Sequence, residues 1–208
     1  MNNLNYHTFY HALRIFDVFS IRDIKKIFPN FDTRRLVEWQ EKDYIEKIIN
    51  RWYCFKNAAL QESNIWWMSN RIYAPSYISL ETALSFHGLI PEGVFQTTAV
   101  STAKTQHFDT LFGHFNYRNI KPSLFCGYSI HRINDKPIKI ADIEKTLLDY
   151  CYFHKHLTSS TDFEGLRLNT ATLQTQLNIE KMTTYLSLSE SVTLEKRVFN
   201  LINFIQNA

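Results

Sequence analysis

Apolar residues at the start of the chain recur at helical spacing. Phe9, Ala12, Leu13 and Phe16 stand at i, i+3, i+4 and i+7 and predict a first helix over residues 7–18. Ser20 and Asp23 make a near capping box for a second helix. Its buried stripe is Ile21, Ile24, Ile27 and Phe28, and Pro29 ends it. After a turn at Asn30-Phe31, Asp32 is the N-cap candidate of a third helix over 33–42, with Leu36 and Trp39 facing inward. The period then changes: 44–49 and 52–55 read as two strands of a hairpin around Asn50-Arg51, where Asn tolerates the left-handed turn conformation. The order is helix, helix, turn, helix, β-hairpin, which is that of a winged helix-turn-helix.

Residues 59–72 read as a connection that packs, since it carries Trp66 and Trp67. A capped helix follows from Ser79, ended by Gly88 at the left-handed C′ position. Strand-like runs come next at 94–101, 114–117, 124–133 and 138–140. An amphipathic helix over 142–153 shows Ile143, Leu147 and Tyr150 on one face, and residues 162–206 hold three or four more helices. The expected fold class is α+β: a winged helix-turn-helix at residues 1–58, the connection at 59–72, and a C-terminal α+β domain with a helical tail at 73–208.

Composition narrows the function classes. The 208 residues are 45% apolar with 16 Phe and 11 Tyr, enough to bury a core, which excludes a disordered chain. Five glycines (Gly88, Gly93, Gly113, Gly127, Gly165) cannot be arranged as G-x-G-x-x-G or G-x-x-x-x-G-K-[ST], so glycine-built phosphate cradles are excluded. Cys54, Cys126 and Cys151 are odd in number and widely spaced, unlike a disulfide framework. The start of the chain lacks a basic n-region and an apolar h-region, and no run approaches a membrane span; a cytoplasmic protein without membrane contact is expected. Net charge is +3, and its distribution matters more than its size: residues 1–60 hold ten Lys/Arg and seven Asp/Glu, whereas 61–208 are balanced.

That placed charge, with the helix order, points to double-stranded DNA. The third helix would present Thr33, Arg34 and Arg35 at its N-terminal turn to the major groove, with Gln40 secondary. Ser20, Arg22, Lys25 and Lys26 of the second helix, and Lys47 and Arg51 of the hairpin, would touch phosphate. Alternatives are a protein-docking helical module and a plain transcription regulator.

Two later segments carry a family resemblance. Tyr73-Ala74-Pro75-Ser76-Tyr77-Ile78-Ser79-Leu80-Glu81-Thr82-Ala83-Leu84-Ser85-Phe86-His87-Gly88-Leu89 resembles an AbiEi-family segment, through Pro75, Ser79, Leu80, Ala83, Leu84, His87 and Gly88. Thr97-Thr98-Ala99-Val100 fits that family's next strand, and Ile140-Ala141-Asp142-Ile143-Glu144-Lys145-Thr146-Leu147-Leu148-Asp149 resembles its later segment, through Glu144, Lys145, Leu148 and Asp149. The resemblance implies a type IV antitoxin that represses its own operon. It would bind inverted repeats in the operator and counter a nucleotidyltransferase-like toxin without a stable complex with it. No catalytic residue, cofactor or metal is implied. Asp43 and Asn50 stand where the family often has Gly, and Ile143 stands where it often has Pro.

Other chemistries fit the residues less well. Asp142, Glu144, Lys145 and Asp149 mix acids and a base as a metal-dependent nuclease would, but Ile143 sits where the nuclease pattern needs an acid. Helix capping by Asp142, with Glu144 complementing the dipole, is simpler. Cys151, His154 and His156, and the pair His7 and His11, lack a full metal-ligand set. Ser79 and Ser85 near His87 lack a nucleophile elbow, and Ser79 reads as an N-cap. An aromatic–basic zone (Tyr117, Arg118, Lys121, Tyr128, His131, Arg132, Lys136, Lys139) is a second candidate contact surface.

Overall fold

The computed structural model describes residues 4–56 and 62–208. Residues 57–61, which include the start of the expected connection, and Met1 to Asn3 lie outside the described residues. The N-terminal unit runs α1 (Tyr6–Leu13), β1 (Val18–Ser20), α2 (Ile21–Ile27), α3 (Arg35–Glu41), β2 (Ile45–Ile49) and β3 (Trp52–Phe55). Its three strands pair antiparallel in the order β1-β3-β2.

The local chemistry explains each boundary, including four that depart from the expected ones. The first helix stops at Leu13, not Val18, because Asp17 turns left-handed (φ 52°) and Val18, Phe19 and Ser20 pair with Cys54, Tyr53 and Trp52. Ile27, expected in the buried stripe of α2, is 41% exposed, while Ile24 is fully buried. Asp32 does not cap α3 at the usual spacing. Its carboxylate accepts from the Arg34 amide (3.0 Å), holding a tight turn, and the helix starts at Arg35. In the hairpin, Arg51 rather than Asn50 is left-handed (φ 68°). At the other end of the strand, Asp43 adopts φ 57°, a conformation that glycine usually supplies.

Phe9, Leu13, Phe19, Ile24, Phe31, Leu36, Trp39, Ile45, Tyr53 and Phe55 form the core of this unit. Alternate residues of the small sheet point the other way. Val18, Ile48 and Cys54 join a second core shared with the rest of the molecule.

Most of the expected connection is a helix, α4 (Glu62–Ile72), that packs on a six-stranded sheet. That sheet contains β4 (Ser76–Ile78), β5 (Gln96–Ser101), β6 (Gln106–Thr110), β7 (Gly113–Asn119), β8 (Tyr128–Ile133) and β9 (Lys136–Ala141), ordered β6-β7-β5-β4-β9-β8. The pairs β4–β9 and β5–β7 are parallel, and the other three are antiparallel. Strands β4 and β6 fall outside the strand-like runs of the sequence. The central strands β4 and, after Gln96, β5 are buried on both faces, so their burial does not alternate; they also enclose polar Ser76, Thr97, Thr98 and Ser101.

One face of the sheet (Ile78, Ala99, Phe115, Tyr117, Ile138, Ile140) packs on Trp66, Met68 and Ile72 of α4 and on the small N-terminal sheet. The other face (Tyr77, Val100, Ala141) packs on helices: α5 (Leu80–Phe86), α6 (Ile143–Phe153), α7 (Ser160–Glu164), α8 (Thr170–Gln176), α9 (Ile179–Ser187) and α10 (Val192–Gln206). Gly88 closes α5 with φ 64°, as expected.

Candidate nucleic-acid interface

The face formed by α2 and the β2–β3 turn is set by two local devices. The Ser20 hydroxyl accepts from the Asp23 amide (3.1 Å), and the Asp23 carboxylate accepts from the Ser20 amide (2.9 Å), a complete capping box. It fixes the helical phase, so that Arg22, Lys25 and Lys26, spaced i, i+3, i+4, share the solvent face opposite buried Ile24. The Ile21 amide donates to the Arg51 carbonyl (3.0 Å), which sets the hairpin turn against the start of α2. Arg51 of the turn thereby stands next in space to the residue that precedes Arg22. Lys47 is exposed on β2.

The expected groove-reading residues are placed unevenly. Thr33 and Arg34 are exposed at the turn before α3. The Arg34 guanidinium grips Asp32 with both Nε (2.9 Å) and Nη2 (2.7 Å), which holds the Asp32 carboxyl below the usual carboxylate range. A bidentate base contact through the same Nε–Nη2 edge of Arg34 would have to displace that carboxylate, whereas Nη1 is left free. Arg35 is turned inward: it donates to the Leu4 carbonyl and lies over the Trp39 ring at 5.5 Å. Gln40 bonds to the Leu36 carbonyl of its own helix (2.8 Å), and the Ser20 hydroxyl is taken by Asp23. Exposed Val37 sits beside Glu38 on the outer face of α3.

The charge balance is more one-sided than the composition. Six of the seven acids in residues 1–60 are ion-paired. Arg34 holds Asp32, Lys42 holds Glu38, and Lys56 holds Asp43 and Glu46. Asp17 and Asp23 are neutralised from outside the unit, by Lys136 at the β8–β9 turn and Arg71 at the end of α4. Arg71 also lies over Trp52 and Trp67, at 5.5 and 5.6 Å. Among the described residues, Arg22, Lys25, Lys26, Lys47 and Arg51 have no acidic partner, nor do Arg14 and Arg35 elsewhere on the unit, and Glu41 is the one acid left over. Sequence spacing points to neither Arg71 nor Lys136 for this role, because only the tertiary packing brings them to Asp23 and Asp17.

The motif residues of the second half lie elsewhere and are inward-facing. Lys145 and Asp149, one helical turn apart on α6, are both fully buried and bonded to each other. Asp149 also accepts from the Tyr77 hydroxyl (2.9 Å) and the Ser79 hydroxyl (2.8 Å). Burial pushes the Asp149 carboxyl upward, and these three donors oppose it. Ser79 therefore occupies the N-cap position of α5 without capping it, and its hydroxyl is closed off from solvent. His87 bonds the Ala141 carbonyl (2.7 Å), tying α5 to β9; Leu80, Ala83, Leu84 and Leu148 are buried, and Pro75 is exposed.

Asp142 caps α6 by accepting from the Lys145 amide (2.8 Å) and also accepts from the Tyr185 hydroxyl (2.8 Å). Glu144 accepts from the Asn178 amide at the start of α9 (2.9 Å), and Lys181 bridges Asp142 and Glu144 at 2.9 Å each. Burial opposes ionisation of Glu144, but the Asn178 amide and Lys181 hold its carboxyl below the usual range. The expected role of Glu144 as a dipole partner of α6 thus extends to α9. The point on which Asp142 and Glu144 converge is occupied by the Lys181 ammonium, and Asp149 is bonded separately to Lys145, Tyr77 and Ser79.

The remaining sequence candidates separate in space. Strands β7 and β8 lie at opposite sides of the sheet, so the aromatic–basic residues do not form one zone. Tyr117 is buried against Ser69, Arg118 stacks on Phe153 at 4.9 Å, and Lys139 lies over Tyr128 at 5.8 Å. Burial pushes the Cys151 thiol up to about 12, and His154 Nδ1 bonds the Tyr150 carbonyl at 2.9 Å. Among the described residues no helix is long and apolar enough to cross a membrane. No family model matches the chain, and no curated protein matches it.

Proposed function

We propose that residues 1–58 are a winged helix-turn-helix and that the chain is a sequence-specific, double-stranded-DNA-binding repressor. The observation that carries the reading is that all five cations of α2 and the hairpin strands and turn (Arg22, Lys25, Lys26, Lys47, Arg51) are left without acidic partners, on a unit ordered α1-β1-α2-α3-β2-β3 with strand order β1-β3-β2. Phosphate contacts from such a face position a protein on the duplex. Thr33, Arg34 and Val37, exposed on and before α3, are the groups left to read bases. Arg34 would exchange Asp32 for a guanine edge, and Val37 would meet a thymine methyl. The core shared by the small sheet, α4 and the large sheet fixes the DNA-binding face to the second domain.

On the AbiEi resemblance, the DNA would be the operator of its own operon, and the second domain would serve antitoxicity against a nucleotidyltransferase-like toxin. No catalytic step is assigned. A mobility-shift assay with DNA from upstream of the coding sequence tests the first part. Retardation with a footprint over inverted repeats is expected, and equal affinity for a scrambled duplex would remove sequence specificity. Co-expression with the product of the adjacent reading frame tests the second. Relief of growth arrest without co-purification is expected, and no relief leaves a plain transcription regulator.

A further inference from the structure

On the β6–β7 hairpin, far in sequence from the DNA-binding face, the strand register brings together three metal-ligating side chains. His107 and Asp109 alternate by two along β6 and so share a face, and Asp109 pairs directly across from His114 of β7. His107 Nε2 lies 2.8 Å from Asp109 Oδ1, and His114 Nδ1 bonds the same oxygen. The three ligand atoms all lie within 4.8 Å of one another, and the two imidazole planes are nearly parallel, 8° apart. All three side chains are exposed, so an ion can enter and the rings can adjust.

A second observation separates this cluster from an ordinary surface ion pair. The other nitrogen of His107, Nδ1, bonds the Asn116 side-chain oxygen, and Asn116 donates in turn to Gln96 Oε1 (2.5 Å) on the neighbouring strand β5. An amide oxygen that fixes the far nitrogen of an imidazole selects its tautomer and leaves the near nitrogen's lone pair for a metal.

We propose that His107, Asp109 and His114 bind a divalent first-row transition metal of the Zn²⁺ type, with Asn116 orienting His107. Two imidazoles and one carboxylate suit such ions and not Mg²⁺. A tetrahedral ion with bonds of about 2.0–2.1 Å needs ligand atoms about 3.3 Å apart, so the His107–Asp109 contact opens by about 0.5 Å as the ion replaces the shared protons. The fourth position is left for water. The ion would add a clip between edge strand β6 and β7 on the face opposite Phe108, which packs on Tyr73 and Tyr117.

The test is calorimetric titration of the full chain with zinc chloride. It uses the His7→Ala/His11→Ala background, because those two rings also sit with Nε2 atoms 3.1 Å apart. One equivalent is expected to bind. His114→Ala or Asp109→Asn should weaken binding at least ten-fold, and Asn116→Ala by about 10–100-fold. Cobalt should give the intense visible bands of a tetrahedral site, and circular dichroism should show all variants folded. Absence of zinc binding in that background, or binding indifferent to His114→Ala, overturns the proposal.

Discussion

Asp149→Ala is the sharpest perturbation of the second domain. The substitution strands the Lys145 ammonium, which is 0% exposed, and removes the acceptor of both the Tyr77 and Ser79 hydroxyls. Removing one partner of a buried ion pair costs about 3–5 kcal/mol. Each hydroxyl left unsatisfied adds about 1 kcal/mol. The terms overlap, since the cavity left by the lost carboxylate admits some relaxation, so the net loss is about 4–6 kcal/mol. That is a large part of the ~5–15 kcal/mol by which a domain is stable. Urea unfolding followed by far-UV circular dichroism measures it. The double substitution Lys145→Met/Asp149→Leu discriminates the cause: with no charge to strand, only the two hydroxyls remain unpaired, and the loss shrinks to about 2 kcal/mol. Asp149→Ala within about 1 kcal/mol of the parent, or a double variant as unstable as the single one, refutes the argument that a stranded buried charge dominates.

Gly127→Ala should destabilise by about 2–4 kcal/mol in the same unfolding assay. Gly127 has φ 69°, and an added Cβ would stand 2.8 Å from Lys145 Cβ and from a Tyr185 ring carbon. Cys54 and Cys151, buried with thiols pushed up to about 12, should resist iodoacetamide in the native state while half-buried Cys126 reacts first; mass spectrometry reads the order. The Glu144 carboxyl is depressed in the folded state, so its stabilisation is complete above the unfolded value of about 4.3 and fades as pH falls through the lower folded value. Glu144→Gln should flatten the acid limb of the stability–pH curve, and an unchanged limb would remove Glu144 from that role.

All three N-terminal helices are legible in the sequence from their apolar spacing, but the cap is legible only for α2, where Ser20 with Asp23 forms the capping box; Asp32 does not cap α3. Strand β1 is hidden, because a three-residue strand carries no period of its own and exists only through pairing with β3. Helix α4 is obscured by its mixed face. Its packing partners lie elsewhere in the chain: Trp66 joins the core against the sheet and meets Phe86 of α5 edge-on at 5.6 Å. The positions of Lys145 and Asp149 on one helical turn can be read from spacing, but not their burial, since charged residues are rarely enclosed without partners that spacing does not show. Arg35 and Gln40 look as available as Arg34 in the sequence, and only the packing of Leu4 and the backbone of α3 reveals that they are engaged. The hairpin register that gathers His107, Asp109 and His114 is likewise invisible, because no apolar alternation announces β6.

In the proposed function, uncompensated cations on α2 and the hairpin would hold DNA by its phosphates. The most direct measurement of that hold is the salt dependence of binding to a duplex from upstream of the gene, for the parent and for Lys25→Ala/Lys26→Ala. If all five cations engage, log Kobs against log salt falls with a slope of roughly −4 to −5, and the double variant loses about 2 from that slope at every sequence tested. A slope near zero, or one that the double substitution leaves unchanged, contradicts the account.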